Sequence, residues 1–203
     1  MQAIDSPEPA ACGTGLVELD REKVVDITPD FEAEAHERIS HYPASKRSAT
    51  LPLLYLWQEE HGYITNQAVH WVADKLELQP INVLEVVTFY PMFKTHAVGK
   101  FHLTVCRTLP CALAGSYELR DHLMEQAGIK ELDHHGFGMS EDGTFSIEFI
   151  ECLAQCGSAP IVMVNDSTYE WVDHDKGTAI LEKYKSGKGP ADEPKSMYPN
   201  PLV

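Results

Sequence analysis

Four of the chain's five cysteines fall in two short stretches, VCRTLPC and ECLAQC. Cys106 and Cys111 are spaced C-x4-C, Cys152 and Cys156 are spaced C-x3-C, and forty residues separate the two pairs. Two close pairs held that far apart can meet only if the fold closes them around a shared site. Thiolates are soft ligands, and four of them select zinc or an iron–sulfur cluster, whereas calcium and magnesium take oxygen ligands. Structural zinc sites use C-x2-4-C pairs, so these spacings admit zinc. Zinc loops are usually tight on at least one side; the wider four-residue gap suits a bulkier [2Fe–2S] cluster, and plant-type [2Fe–2S] proteins use C-x4-C for one of their pairs. A disulfide pair or free thiols fit less well, because the chain is long enough for a core and shows no secretion signal. No C-x2-C dithiol occurs. Cys12 has no second cysteine near it and reads as a surface thiol rather than a ligand.

The text around these cysteines resembles a known family. RSATLPLLYLWQEEHGYI, VTFYPMF, GKFHLTVCRTLPCALAGSYEL and EDGTFSIEFIECLAQCGSAPIVMVND are similar to the small [2Fe–2S] subunits of respiratory complex I, the NADH-quinone oxidoreductase, over about residues 35 to 185. The resemblance implies a thioredoxin-like α/β domain with Cys106, Cys111, Cys152 and Cys156 as ligands of one [2Fe–2S] cluster. It also implies a place against the flavin- and NADH-binding subunit of the same complex and other peripheral-arm subunits. The cluster would take single electrons from the partner's reduced flavin, with FMN and NADH held on the partner. Related subunits of NAD-linked hydrogenases and formate dehydrogenases share the pattern, so those settings stay open. A zinc-stabilised interaction domain is the alternative of another class.

The remaining composition narrows the setting. Sixteen basic against thirty-one acidic residues give a net charge of −15, which phosphate backbones repel, so no nucleic-acid partner is expected. The longest apolar run, near LPLLYLW, is far short of the roughly 18–20 residues that span a bilayer. No direct membrane insertion is therefore expected. Asp5, Glu8, Glu18 and Asp20 lie in the first twenty residues, before the first arginine, Arg21. That is unlike an Arg-rich transit peptide, and the stretch lacks the apolar centre of a secretory signal. The expected location is the bacterial cytoplasm, peripheral to the inner membrane through partners. No G-x-G-x-x-G is present, so NADH and flavin sites are not expected here. The chain reads as an electron carrier with no catalytic side chain of its own, enzymatic only as part of an oxidoreductase.

The chain divides by pattern into four parts. Residues 1–27 read as a flexible tail, 28–97 as a helical bundle, 98–185 as the cysteine-bearing domain and 186–203 as an extended tail; the fold class is α+β. Thr28-Pro29 starts a first helix, a second runs from about Ser48 to His61 and stops at Gly62, Thr65 caps a third, and a fourth begins near Pro80. Phe89, Tyr90 and Phe93 read as packing aromatics. Phe101–Cys106 alternates as a strand, Cys111 opens a helix with Leu119, Leu123 and Ala127 on one face, and Asp142-Gly143 turns into a strand over Phe145–Ile150. Ile161–Val164 and Tyr169–Val172 form a hairpin, and Lys176–Tyr184 is a closing helix. His134-His135 lie in a loop without metal-ligand spacing.

An all-cysteine [2Fe–2S] cluster carries about −2 and gains one more negative charge on reduction. Amides of a helix starting at Ala112 and Leu113, and close backbone at Gly157, are expected to offset that charge. Arg107 reads as a surface ion-pair partner. Asp121, Glu148 and Glu151, with the overall −15, are expected to hold the reduction potential low.

Overall fold

The computed structural model describes residues 19–187, and the chain divides between Ala97 and Val98 into two compact units. Cys12 and nearly all of the expected C-terminal tail lie outside the described residues.

The first unit is a helical bundle of α1 (Pro29–Ser40), α2 (Thr50–His61), α3 (Asn66–Leu76) and α4 (Pro80–Phe89). Local chemistry sets its ends. The Thr28 hydroxyl accepts from the Phe31 amide, and Thr65 does the same for Ala68, each satisfying a donor that the first helical turn leaves open. Pro29 and Pro80 occupy first-turn positions that need no amide proton. Gly62, at φ +90°, ends α2 in a conformation glycine adopts without cost. A 3-10 turn, Lys46–Ala49, leads into α2, so Ser48, expected as the start of that helix, precedes it. The core is Leu53, Leu54, Trp57, Ile64, Val72 and Val83, all fully buried.

Residues 19–27 depart from the expected tail, because they lie along this bundle. The Tyr63 hydroxyl donates to Asp20, and the Gln67 amide brackets Val25, donating to its carbonyl and accepting from its N–H at 2.8 Å each. Leu19, Val25 and Ile27 pack on the bundle core. The aromatics of the 89–93 stretch split: Phe93 is buried, whereas Phe89 is 76% exposed.

The second unit holds a five-stranded sheet among the described residues, in the order β2-β3-β1-β4-β5. Its strands are β1 (Phe101–Cys106), β2 (Gly138–Met139), β3 (Phe145–Ile150), β4 (Val162–Val164) and β5 (Ser167–Tyr169). Its helices are α5 (Leu109–Leu113), α6 (Ser116–Ala127) and α7 (His174–Lys185), the last capped by Asp173. β1 and β3 run parallel, joined through α5 and α6, while β4 is antiparallel to β1 and forms a hairpin with β5.

Strand alternation divides the sheet's two faces. Leu103, Val105, Phe145 and Ile147 share a core with Leu119, Leu123, Ile180, Leu181 and Tyr184 of α6 and α7. Positions of opposite parity carry His102, Thr104 and Cys106, together with Ser146 and Glu148. All six residues of β1 are buried, so its polar positions do not face water. His102 is satisfied inside, 2.8 Å from the Ser146 hydroxyl and 3.0 Å from the Glu148 carboxylate.

Three local readings differ from the sequence pattern. The hairpin's second strand starts directly after the Asn165-Asp166 turn and ends at Tyr169; Trp171 leaves the ladder at φ +51°. The two-residue β2 was not anticipated, since a strand that short has no periodicity to read. The helix expected to open at Cys111 is broken in two by Gly115, at φ +93°.

Candidate metal centre

β1 lies between β3 and β4, and this arrangement gathers the cysteines. Cys106 is the last residue of β1 and pairs in register with Ile150, so Cys152 follows just beyond the end of the neighbouring parallel strand. β4 enters on the other side of β1, with Val105 opposite Val162. The chain from Cys156 into β4 therefore returns beside Cys106, whose amide donates to the Ile161 carbonyl at 3.1 Å. Cys111 sits in α5, one short loop after β1. Two strand ends and one strand start thus converge at one end of the sheet.

The four sulfurs differ in exposure. Cys106 and Cys111 are 2% and 1% exposed, packed with Ile161, Leu153 and Ala159. Cys152 and Cys156 are exposed, with their sulfurs 3.9 Å apart. Each pair is close within itself: Cys106 and Cys111 also share a hydrogen bond. Among the described residues, no three histidine, cysteine or acidic side chains already surround one point as a single ion requires. A donor set of four thiols in two pairs is what an all-cysteine [2Fe–2S] cluster takes.

The surroundings are arranged toward sulfur. Burial pushes the Cys106 thiol up, but the Thr108 hydroxyl, 3.3 Å from its sulfur, and hydrogen bonds from the backbone at Leu153 and Thr108 outweigh it and leave the thiol below its ordinary range. Burial, then the shared hydrogen bond with Cys106, pushes Cys111 up to about 11. Cys156 is raised by its hydrogen bond to Cys152 and by that neighbour's charge. This is a set of thiols competing for protons at close range. A metal that takes all four as thiolates relieves that competition and releases the protons. The Ala154 amide donates to the Cys152 sulfur at 3.3 Å, and Ala154 holds φ +61° to do so.

These donors replace the expected ones. The Ala112 amide is spent inside the helix on the Thr108 carbonyl at 2.9 Å, so it does not donate to Cys111 as expected. At Gly157 an added Cβ would meet nothing within 4 Å, so no close approach of protein atoms there requires glycine. The sulfur-directed groups are Thr108 and Leu153 at Cys106, Ile161 at Cys111 and Ala154 at Cys152. Only Thr108 had a sequence signal, a hydroxyl inside the C-x4-C loop.

The expected acidic field is also reduced. Glu151 pairs with Arg107 and Asp121 with Arg120, while Glu148 hydrogen-bonds the His102 ring. Arg107 is the surface ion-pair partner its sequence position suggested. His134 and His135 lie exposed in a loop.

Comparison with known proteins extends the geometry. The family model of the thioredoxin-like [2Fe–2S] ferredoxins matches residues 35–185. The E-type subunit of NADH-quinone oxidoreductase from Rickettsia bellii is 40% identical over 154 residues, covering 75% of this chain and 89% of that protein. NADH-quinone oxidoreductase subunit 2 of Thermus thermophilus is 37% identical over 164 residues, covering 80% and 87%. Among solved structures, an NAD+-reducing [NiFe]-hydrogenase in its H2-reduced state aligns with a TM-score of 0.56 and 18% identity over 70% of this chain. This chain spans 23% of that hydrogenase chain, and the likeness shows the shared fold alone. On the extent of these matches, the chain belongs to the thioredoxin-like [2Fe–2S] ferredoxin family, and a [2Fe–2S] cluster is its cofactor.

Proposed function

We propose that this chain is the electron-transfer subunit of an NADH:quinone oxidoreductase, with Cys106, Cys111, Cys152 and Cys156 as the four ligands of its cluster. The observation that carries the reading is the convergence of two thiol pairs at one end of the sheet. The names of the Rickettsia and Thermus relatives supply the enzymatic setting. When bound, the cluster supplies one-electron chemistry. The protein's own part is binding and poise. Cys106 and Cys111 hold one side dry in an apolar pocket, while Cys152 and Cys156 present the other side at the surface. Thr108, Leu153, Ala154 and Ile161 direct donors at sulfur and offset negative charge. A buried wall with an open front suits electron exchange with a docked donor.

The donor in this reading is the reduced flavin of an NADH-binding partner subunit. Among the described residues, no helix is long and apolar enough to cross a membrane, which fits a peripheral position reached through partners, on the cytoplasmic side of a bacterial inner membrane. Visible and EPR spectra of the anaerobically purified chain, with iron, sulfide and zinc analysis, test the cluster. About two irons and two sulfides per chain are expected, and stoichiometric zinc without visible absorption would sink the reading. Capture of a flavoprotein that oxidises NADH tests the partner. Truncation after Lys185 asks whether the C-terminal segment contributes, and a weaker capture is expected.

A further inference from the structure

Three of the most exposed large apolar side chains sit on the segments that carry or brace the cysteines. Leu109 (71% exposed) and Leu113 (81%) flank Cys111 within α5, and Trp171 (62%) lies beside the loop after Cys156. Trp171 donates its backbone N–H to the Ser158 carbonyl at 2.7 Å, and Val172 donates to Pro160 at 3.1 Å. Trp171 holds φ +51°, a left-handed conformation that is an outlier for a bulky side chain and persists only where the surroundings impose it. Burial does not explain it, since the ring is mostly in water. Between α5 and the start of α7 runs an open groove of about 640 Å³, with Leu113, Pro160 and Val172 in its wall. Glu118, Asp173 and Asp175 line it, and no lysine or arginine does.

We propose that this face, apolar beside the cysteines and acidic along the groove, is the docking surface for the flavin-bearing partner, which inserts a basic segment into the groove. The proposal rests on the partner reading above and adds the surface and the sign of its charge. Tryptophan and leucine ringed by charge make an interface centre with a steering rim. The three carboxylates select lysine or arginine on the other side. A second copy of this chain is disfavoured as occupant, since it brings the same −15 charge to the same acidic face.

The test uses the full-length, cluster-loaded chain, tagged and expressed in the cells that make its complex. The readout is acid-released flavin from captured NADH-oxidising protein, per mole of cluster, from low to high salt. Leu113→Ala, Trp171→Gly and the double variant E118K/D175K should each lower captured flavin by at least about tenfold. Their visible spectra should match the parent's. Trp171→Gly should melt no lower than the parent, because glycine accepts φ +51° without strain. Glu131→Lys, a single charge reversal away from the groove, should leave capture unchanged. If the parent captures flavin and the three variants capture it equally, the surface is wrong and the partner reading stands. Stronger capture by E118K/D175K would show an acidic partner and overturn the charge assignment. If the parent captures no flavin, the partner reading itself falls, and this proposal with it.

Discussion

Replacing Gly99 with alanine should be among the most damaging single-methyl changes in the cysteine-bearing unit. Gly99 stands just before β1, and a Cβ there would lie 2.6 Å from the Phe145 carbonyl carbon and 2.7 Å from the Ser146 amide nitrogen. Ordinary contact begins near 3.4 Å, so the start of β1 must move away from β3 by most of an ångström. Backbone atoms in a parallel ladder cannot swing aside as a side-chain tip can. The displacement strains the bonds that seat this corner: Gly99 to the Ser146 hydroxyl at 2.9 Å, Lys100 to Gly143 at 3.0 Å and Phe101 to Thr144 at 2.9 Å. Weakening two of the three at about 1 kcal/mol each, with about 1 kcal/mol or more of overpacking, gives roughly 3 kcal/mol. That is a large share of the roughly 5–15 kcal/mol that typically separates folded from unfolded states. Gly177→Ala is the control. Its Cβ would meet only leucine methyls, Leu123 at 3.1 Å and Leu119 at 3.3 Å, which can give by a few tenths of an ångström. The helix-propensity gain of roughly 1 kcal/mol offsets that contact, so the net change should stay within about 1 kcal/mol. Urea unfolding followed by circular dichroism, with cluster absorbance in parallel, measures both. A loss under about 1 kcal/mol at Gly99, or a larger loss at Gly177 than at Gly99, would refute the reasoning that backbone contact decides the cost.

Serine at Cys106, Cys111, Cys152 or Cys156 should each abolish the visible spectrum, while Cys12→Ser should keep it; iron analysis of the five variants checks this. The midpoint potential should lie below about −150 mV, outside the range of histidine-ligated centres, and EPR-monitored redox titration reads it. Thr108→Val removes the hydroxyl 3.3 Å from the Cys106 sulfur and should move that midpoint further negative, since donors to sulfur favour the more negative reduced form. In the metal-free chain, Asp142 accepts from the Ser140 hydroxyl and from the Thr144 hydroxyl and amide, which lowers its carboxyl from 3.8 to about 2. A lowered carboxyl stabilises the fold fully above the unfolded value and loses that contribution as pH falls through the folded one. The stability gap between parent and Asp142→Asn, followed by thermal melts, should therefore be constant above pH 3.8 and close as pH falls toward 2.

The sequence by itself determined the elements whose signals are local. Thr28-Pro29, Gly62 and Thr65 mark helix ends because caps and left-handed glycines act within one turn. Phe101–Cys106 and Phe145–Ile150 declare themselves as strands, and the two cysteine spacings name the ligand type, because thiolate chemistry is a property of the residue. What depended on neighbours was decided only by tertiary structure. The parallel pairing of Cys106 with Ile150 puts Cys152 just past the end of the strand next to Cys106, and no spacing rule contains that register. The sulfur-directed amides of Leu153, Ala154 and Ile161 belong to residues with no polar side chain to signal them. Ala112 lies inside its helix because that helix begins at Leu109 rather than at Cys111. Glu151, an acid by sequence, met Arg107 across the strand pair, which changed the charge near the site without changing the composition. The segment 19–27 looked like a tail because its bonds, Tyr63 to Asp20 and Gln67 to Val25, come from residues more than forty positions away. Capping and ligand chemistry act over a few residues and can be read from the sequence; register, burial and ion pairing join residues that the chain holds far apart, so they exist only once it is folded.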